Sequence, residues 1–168
     1  MAETPKSVQD LQEAFAGESQ ANRKYLAFAK QAEKEGFTQV ARLFRAAAEA
    51  ETIHAHNHLR ALGGIGSTRD NLLEAIAGET HEFKNMYPQM IADAELEGAT
   101  EARRSFVFAN AVEKVHASLY QKAFDTIGQT AEEFPYWLCP VCGHTVEREA
   151  PEKCEVCGAK GSVFFKAP

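Results

Sequence analysis

Residues 77–83 read AGETHEF, and residues 16–22 read AGESQAN. The two stretches open alike, and each lies inside a run of apolar residues at helical spacing. Around AGETHEF, Leu72, Ile76, Phe83, Met86 and Met90 recur at the spacings of a buried helix face, and Glu79 stands on that stripe. Glu82 follows one turn later. A buried carboxylate without a partner costs several kcal/mol, so two on one inner face require a chemical reason.

Working outward, the residues before 129 read as four helices separated by glycine stops. Helix A runs from a Ser7-x-x-Asp10 cap to Gly36, and helix B from Phe37 to Leu62 before Gly63-Gly64. Helix C runs from Asp70 to Gly98, and helix D from Thr100 to Ile127. Apolar rows mark each one, such as Val40, Phe44 and Ala47 in B, or Phe106, Ala109, Tyr120, Phe124 and Ile127 in D. Pro88 interrupts C and predicts a bend, read as packing rather than as a hinge. The expected fold is an all-α four-helix bundle over 1–130, with a small metal-knuckle domain over 131–168.

The halves of the bundle repeat. AGES at 16–19 returns as AGET at 77–80, Glu51-x-x-His54 returns as Glu113-x-x-His116, and Gly36 returns as Gly98. The offset is 61 for the first match and 62 for the others, the pattern of a duplicated helical hairpin. The inner rows are Leu11, Phe15, Glu18, Asn22 and Tyr25 in A, and Ala47, Glu51, His54 and His58 in B. Helix C gives Ile76, Glu79 and Phe83, and helix D gives Ala109, Glu113, His116 and Tyr120. One glutamate from each of two helices, with Glu-x-x-His from each of the other two, is how a bundle holds two metal ions. Oxygen-rich donors with some imidazole suit iron or manganese. The duplication leaves Glu82 unexplained, because its counterpart is Ala21. Glu82 is a fifth carboxylate on one side of an otherwise two-fold site. His56 points away from the inner face, His58 is either a neighbour of the donors or an edge residue, and His81 and His144 carry no signal.

All four cysteines fall in Cys139-Pro-Val-Cys142-Gly143 and Cys154-Glu-Val-Cys157-Gly158. Two such knuckles hold one tetrahedral iron or zinc, and the spacing does not choose between them. Trp137, Phe164 and Phe165 are the expected small core around that metal. Beside a two-iron bundle, an electron-carrying iron is the better match. The formal charge of −6 without a basic stripe excludes nucleic acid as a natural partner. No run is long and apolar enough for a membrane span, and the first residues lack a leader pattern, so a cytoplasmic protein is expected.

Together these motifs resemble the rubrerythrin family over nearly the whole chain. The resemblance implies two iron ions held by Glu18, Glu51, His54, Glu79, Glu82, Glu113 and His116, and a third held by Cys139, Cys142, Cys154 and Cys157, where zinc can substitute. It implies that Glu82 and His54 exchange at one iron with redox state, and that Tyr25 and Tyr87 hydrogen-bond near the cluster, although ordinary core tyrosines remain an alternative. The activity it implies is that of a peroxidase. Hydrogen peroxide is reduced to water, with electrons relayed through the cysteine iron from an external NAD(P)H-linked reductase or a rubredoxin. The glutamates are expected to have raised pKa values without metal. An iron-oxidising store of the ferritin type, or a zinc-ribbon binding module, are the alternatives; the first leaves the cysteines idle and the second ignores the bundle donors. A helix of 26 residues is about 39 Å long, whereas residues 63–69 reach only about 25 Å. Either C turns straight back beside B within one chain, or hairpin A–B pairs with C–D of a partner; the resemblance to short-linked members of the family implies the second, a hairpin-swapped homodimer.

Overall fold

The computed structural model describes residues 4–129 and 132–168, and the chain divides into two compact units, Met1–Gly66 and Ser67–Pro168. The expected domain boundary at 130/131 lies outside the described residues.

In the first unit, α1 (Lys6–Lys34) and α2 (Thr38–Ala61) form a hairpin closed by a tight turn at Gly36. Of the large apolar row expected from Val40 and Phe44, Phe44 packs across the hairpin on Tyr25 and Phe28 while Val40 is exposed, and the most buried contacts are made by smaller residues. The buried residues are Asn22, Ala29 and Ala32 of α1 and Ala41, Ala48 and Ala55 of α2, a stripe of small side chains mostly at seven-residue spacing. Small residues let two helix backbones approach closely, leaving the bulky side chains for other faces. Val40, Leu43, Phe28 and Ile53 are accordingly exposed. Asn22 ties the stripe together: its Nδ2 donates to the Ala48 carbonyl at 2.7 Å and to Thr52 Oγ1 at 2.8 Å. Ser7 does not cap α1. Pro5 occupies the cap position, and its carbonyl already accepts from Val8 and Gln9, so Ser7 lies within the first turn.

The second unit begins with α3 (Thr68–His81), capped by Ser67, which accepts from the Asp70 N–H while Asp70 accepts from Ser67. Helix C is not one uninterrupted α-helix. A π-helical turn over Glu82–Met86 separates α3 from α4 (Tyr87–Leu96), and the Tyr87 N–H reaches back to the Glu82 carbonyl. A wide turn of this kind accommodates one extra residue in a helix and absorbs Pro88, which then sits in the first turn of α4. Both segments pack on α5 (Thr100–Thr126), which follows the turn at Gly98.

A three-stranded antiparallel sheet completes this unit. β1 (Tyr136–Leu138) lies between β2 (Thr145–Glu147) and β3 (Phe165–Lys166), with Leu138 opposite Thr145 and opposite Phe165. Its core is Cys139, Cys154 and Phe164, with Trp137 and Val146 packed against them. Phe165, expected in that core, is exposed, as is Lys166 beside it in β3, and the preceding Phe164 fills the core instead. β2 rests on α5, where Lys122 pairs with Glu147. No helix among the described residues is long and apolar enough to cross a membrane.

Candidate metal centres

In the first unit the i, i+3 spacing puts Glu51 and His54 on one face of α2, towards Glu18 on α1. His54 Nδ1 lies 2.8 Å from Glu51 Oε2 and 3.9 Å from Glu18 Oε1. One donor atom from each of the three falls within 4.8 Å of the others. Tyr25, one turn beyond Asn22, stacks obliquely between Phe28 and Phe44, with ring centroids 6.4 and 6.1 Å away.

The second unit repeats the arrangement. His116 Nδ1 lies 2.8 Å from Glu113 Oε2 and 3.8 Å from Glu79 Oε1, and these three also gather within 4.8 Å. Here the electrostatics are marked. Burial first, then repulsion from Glu113 and a hydrogen bond that a protonated Glu79 gives it, raise Glu79 from 4.5 to about 7. Glu82 adds to that repulsion but does not join the tight cluster; it stands half-buried at the start of the π-helical turn. Tyr87 packs against Phe106 at 6.3 Å, and burial together with the charges of Glu113, Glu82 and Glu79 raises its phenol. Tyr120, placed by the sequence on the inner row of helix D with Glu113 and His116 but given no role there, is raised in the same way by burial and by Glu79 and Glu113.

The cysteine site is formed. Cys139 and Cys157 sulfurs are 3.6 Å apart, as are those of Cys142 and Cys154, and all four gather within 4.8 Å. A disulfide needs about 2.05 Å. A tetrahedron with metal–sulfur bonds of about 2.3 Å has edges of about 3.8 Å, close to what is seen. Gly143 and Gly158 follow the knuckles with φ of 82° and 77°, and their N–H groups close back onto the Cys139 and Cys154 carbonyls at 2.9 Å. A side chain is strained in that left-handed conformation, which is why each knuckle ends in glycine. Burial pushes the Cys154 thiol up, but N–H groups of Cys157 and Val156 outweigh it and bring the thiol to about 7. Burial raises Cys142 despite the His144 N–H that points at its sulfur.

All three donor sets therefore fit metal ions: two carboxylate–carboxylate–imidazole groups and one set of four thiols. His144, silent in the sequence, is 4% exposed, and neither ring nitrogen has a hydrogen-bond partner. It separates the cysteine knuckle from Thr145, whose hydroxyl lies 2.9 Å from His116 Nε2. His56 and His81 are exposed, and His58 is half-buried.

The rubrerythrin family model matches residues 10–124, and a second model, the rubredoxin-like domain of rubrerythrin, matches residues 137–165. The chain belongs to the rubrerythrin family. It is 39% identical to Rubrerythrin-2 of Clostridium acetobutylicum over 170 residues, covering 92% of each chain. Against nigerythrin of Nitratidesulfovibrio vulgaris it is 36% identical over 165 residues, covering 90% of this chain and 81% of that one. The fold agrees with nigerythrin structures described as partially reduced and as fully reduced, all ferrous. Each has a TM-score of 0.59 at 33% identity, over 99% of this chain and 89% of the other. The fold class is thus the family's helical, ferritin-like arrangement with a C-terminal rubredoxin-like module.

Proposed function

We propose that this chain is a non-haem di-iron peroxidase that reduces hydrogen peroxide to water, working in the cytoplasm with electrons from an external NAD(P)H-linked reductase or a rubredoxin. The observation that carries the reading is the hydrogen bond from His116 to Thr145, three residues after Cys142. That contact, between a donor histidine and a residue three positions after a thiol donor in one compact unit, supports the reading of an electron relay. A ferritin-like store has no use for it.

When bound, an iron pair supplies the two electrons that peroxide needs together, in H₂O₂ + 2H⁺ + 2e⁻ → 2H₂O, and a cysteine iron returns them singly. The remaining work belongs to side chains. Glu51 and Glu113 would each bind metal beside their own imidazole, held there by the i, i+3 spacing, with Glu18 and Glu79 as the further carboxylate donors. Without metal, Glu79 keeps its proton up to about pH 7 and donates it in a hydrogen bond to Glu113; a bound cation would take the place of that proton and relieve the repulsion. Tyr87 and Tyr120 keep their phenol protons because burial and the carboxylates oppose ionisation, so both remain able to donate near the reacting oxygens. Tyr25 is the third phenol assigned to the site. Glu82 and His54 are the alternating donors. Glu82 is close enough for its charge to act on Glu79 and Tyr87, and the wide turn that it opens leaves room for displacement. His54 has half of its side chain in solvent.

We further propose that α1–α2 and α3–α5 combine across a homodimer, each donor half being completed by the partner's complementary half. The short connection between Ala61 and Thr68 supports this, as does the exposure of Leu43 and Ile53 on a hairpin whose own contacts are made by alanines.

Stopped-flow oxidation of the fully reduced protein tests the activity. Peroxide is expected to oxidise both kinds of iron much faster than oxygen does; equal or slower oxidation by peroxide refutes the assignment. In Glu82→Ala the irons are expected to assemble but to react abnormally, and unchanged peroxide kinetics would remove Glu82 from the mechanism.

A further inference from the structure

We propose that Thr145 is the positioning residue of His116, and that it makes the Glu79–Glu113–His116 group the tighter metal site of the bundle and the first to fill. The inference rests on reading both carboxylate–histidine groups as metal donors, and is independent of peroxide chemistry.

The two groups are related by the duplication and match closely on their inner side. In each, Nδ1 lies 2.8 Å from the glutamate three residues earlier, and 3.9 or 3.8 Å from the glutamate of the neighbouring helix. They differ on the outer side. His116 Nε2 is 2.9 Å from Thr145 Oγ1, and Thr145 Oγ1 is 3.1 Å from the Gly143 carbonyl. A hydroxyl has one hydrogen. Given to the Gly143 carbonyl, it leaves the oxygen lone pairs to accept the His116 Nε2–H. Nδ1 faces the Glu113 carboxylate at 2.8 Å, a contact that needs a hydrogen until a cation takes its place; with the cation bound, Nε2–H on Thr145 holds the ring with Nδ1 aimed at the two carboxylates.

Thr145 is itself held in place. It begins β2 opposite Leu138, and the preceding knuckle is closed by the Cys139 N–H on the His144 carbonyl and the Gly143 N–H on the Cys139 carbonyl. Its β-branch further limits its rotamers. His54 has no counterpart to this support. Among the described residues its hydrogen-bond partner is Glu51, on the inner side, and its side chain is 53% exposed against 28% for His116. One imidazole is oriented before metal arrives, whereas the other must be ordered by it.

The test uses the full-length protein with zinc held at the four cysteines and the bundle emptied, titrated with cobalt(II) and followed by visible absorption. Two binding steps are expected. Thr145→Val should weaken the tighter one about 10–100-fold, the usual cost of losing the group that orients a ligating histidine, and leave the weaker step alone. Thr145→Ser should restore it. Zinc content of the variants confirms that the cysteine module is intact. A Thr145→Val protein with both steps unchanged or both equally weakened, or one that Thr145→Ser fails to rescue, overturns the proposal. Because no peroxide is used, failure of the peroxidase reading leaves this result unaffected.

Discussion

Replacing Glu79 with glutamine isolates the electrostatic cost that the metal-free bundle carries. Glu79 rises from 4.5 to about 7 because burial and the Glu113 carboxylate disfavour its charge. A group whose folded pKa lies above its unfolded value holds its proton more tightly in the folded state. Its contribution is therefore fully present below pH 4.5 and is lost as pH rises through about 7. Taken at face value the rise corresponds to about 3.4 kcal/mol. Glu79 keeps 20% of its side chain in solvent, and water screens part of the repulsion, so about 1–2 kcal/mol is the expected loss. Urea unfolding of the zinc-at-cysteine, bundle-empty protein at about pH 4.5 and about pH 8 measures it, with helical circular dichroism as the signal. Wild type should lose about 1–2 kcal/mol more than Glu79→Gln across that interval, since glutamine cannot ionise. Filling the bundle with cobalt(II) should reverse the sign, because a cation then favours the ionised form. An equal pH dependence in the two proteins would refute the argument, as would a wild type that gains stability with rising pH relative to the variant.

Asn22→Ala removes two donated hydrogen bonds at the centre of the alanine stripe and should cost about 1–3 kcal/mol in urea unfolding, with Asn22→Asp no milder. Co-expressing a Glu18→Ala/Glu51→Ala chain with a Glu79→Ala/His116→Ala chain tests the exchange of hairpins. A swapped heterodimer contains one complete two-metal donor set, whereas pairing within each chain leaves no complete set and only single-metal binding at the intact triplets, which the metal stoichiometry of the isolated heterodimer distinguishes. Cys154→Ser should uncouple the rubredoxin-like module. Its near-ultraviolet signal from Trp137 should collapse, because a module whose buried core is two metal-ligand thiols and Phe164 depends on the metal for its fold, while the helical signal persists.

Much of the molecule was legible because its information is local. Helix ends followed glycine, the donor histidines followed glutamate by three residues, and each knuckle carried its own glycine. The motif Ser-x-x-Asp shows where local reading stops. At Ser67 it forms a reciprocal cap, yet at Ser7 it does not, because Pro5 has already taken the cap position. Periodicity marked the large residues of helix B, but the hairpin contact is made by Ala41, Ala48 and Ala55, whose short side chains carry little hydrophobic signal. The π-helical turn has no period of its own; its traces were the unpaired Glu82 and the misplaced Pro88. Thr145 was invisible because its importance comes from a contact with His116, 29 positions away, which no spacing rule encodes.

The division of donors into two like triplets, Glu18–Glu51–His54 and Glu79–Glu113–His116, bears on ancestry. One helical hairpin meeting its own twin about a two-fold axis already brings four glutamates and two histidines together. Gene duplication then added no donor that the ancestral pair lacked; what it added was freedom for the copies to diverge. Glu82 on one side, and a threonine borrowed from a separate cysteine module to steady one histidine, are changes that a strictly symmetric ancestor could acquire only twice over.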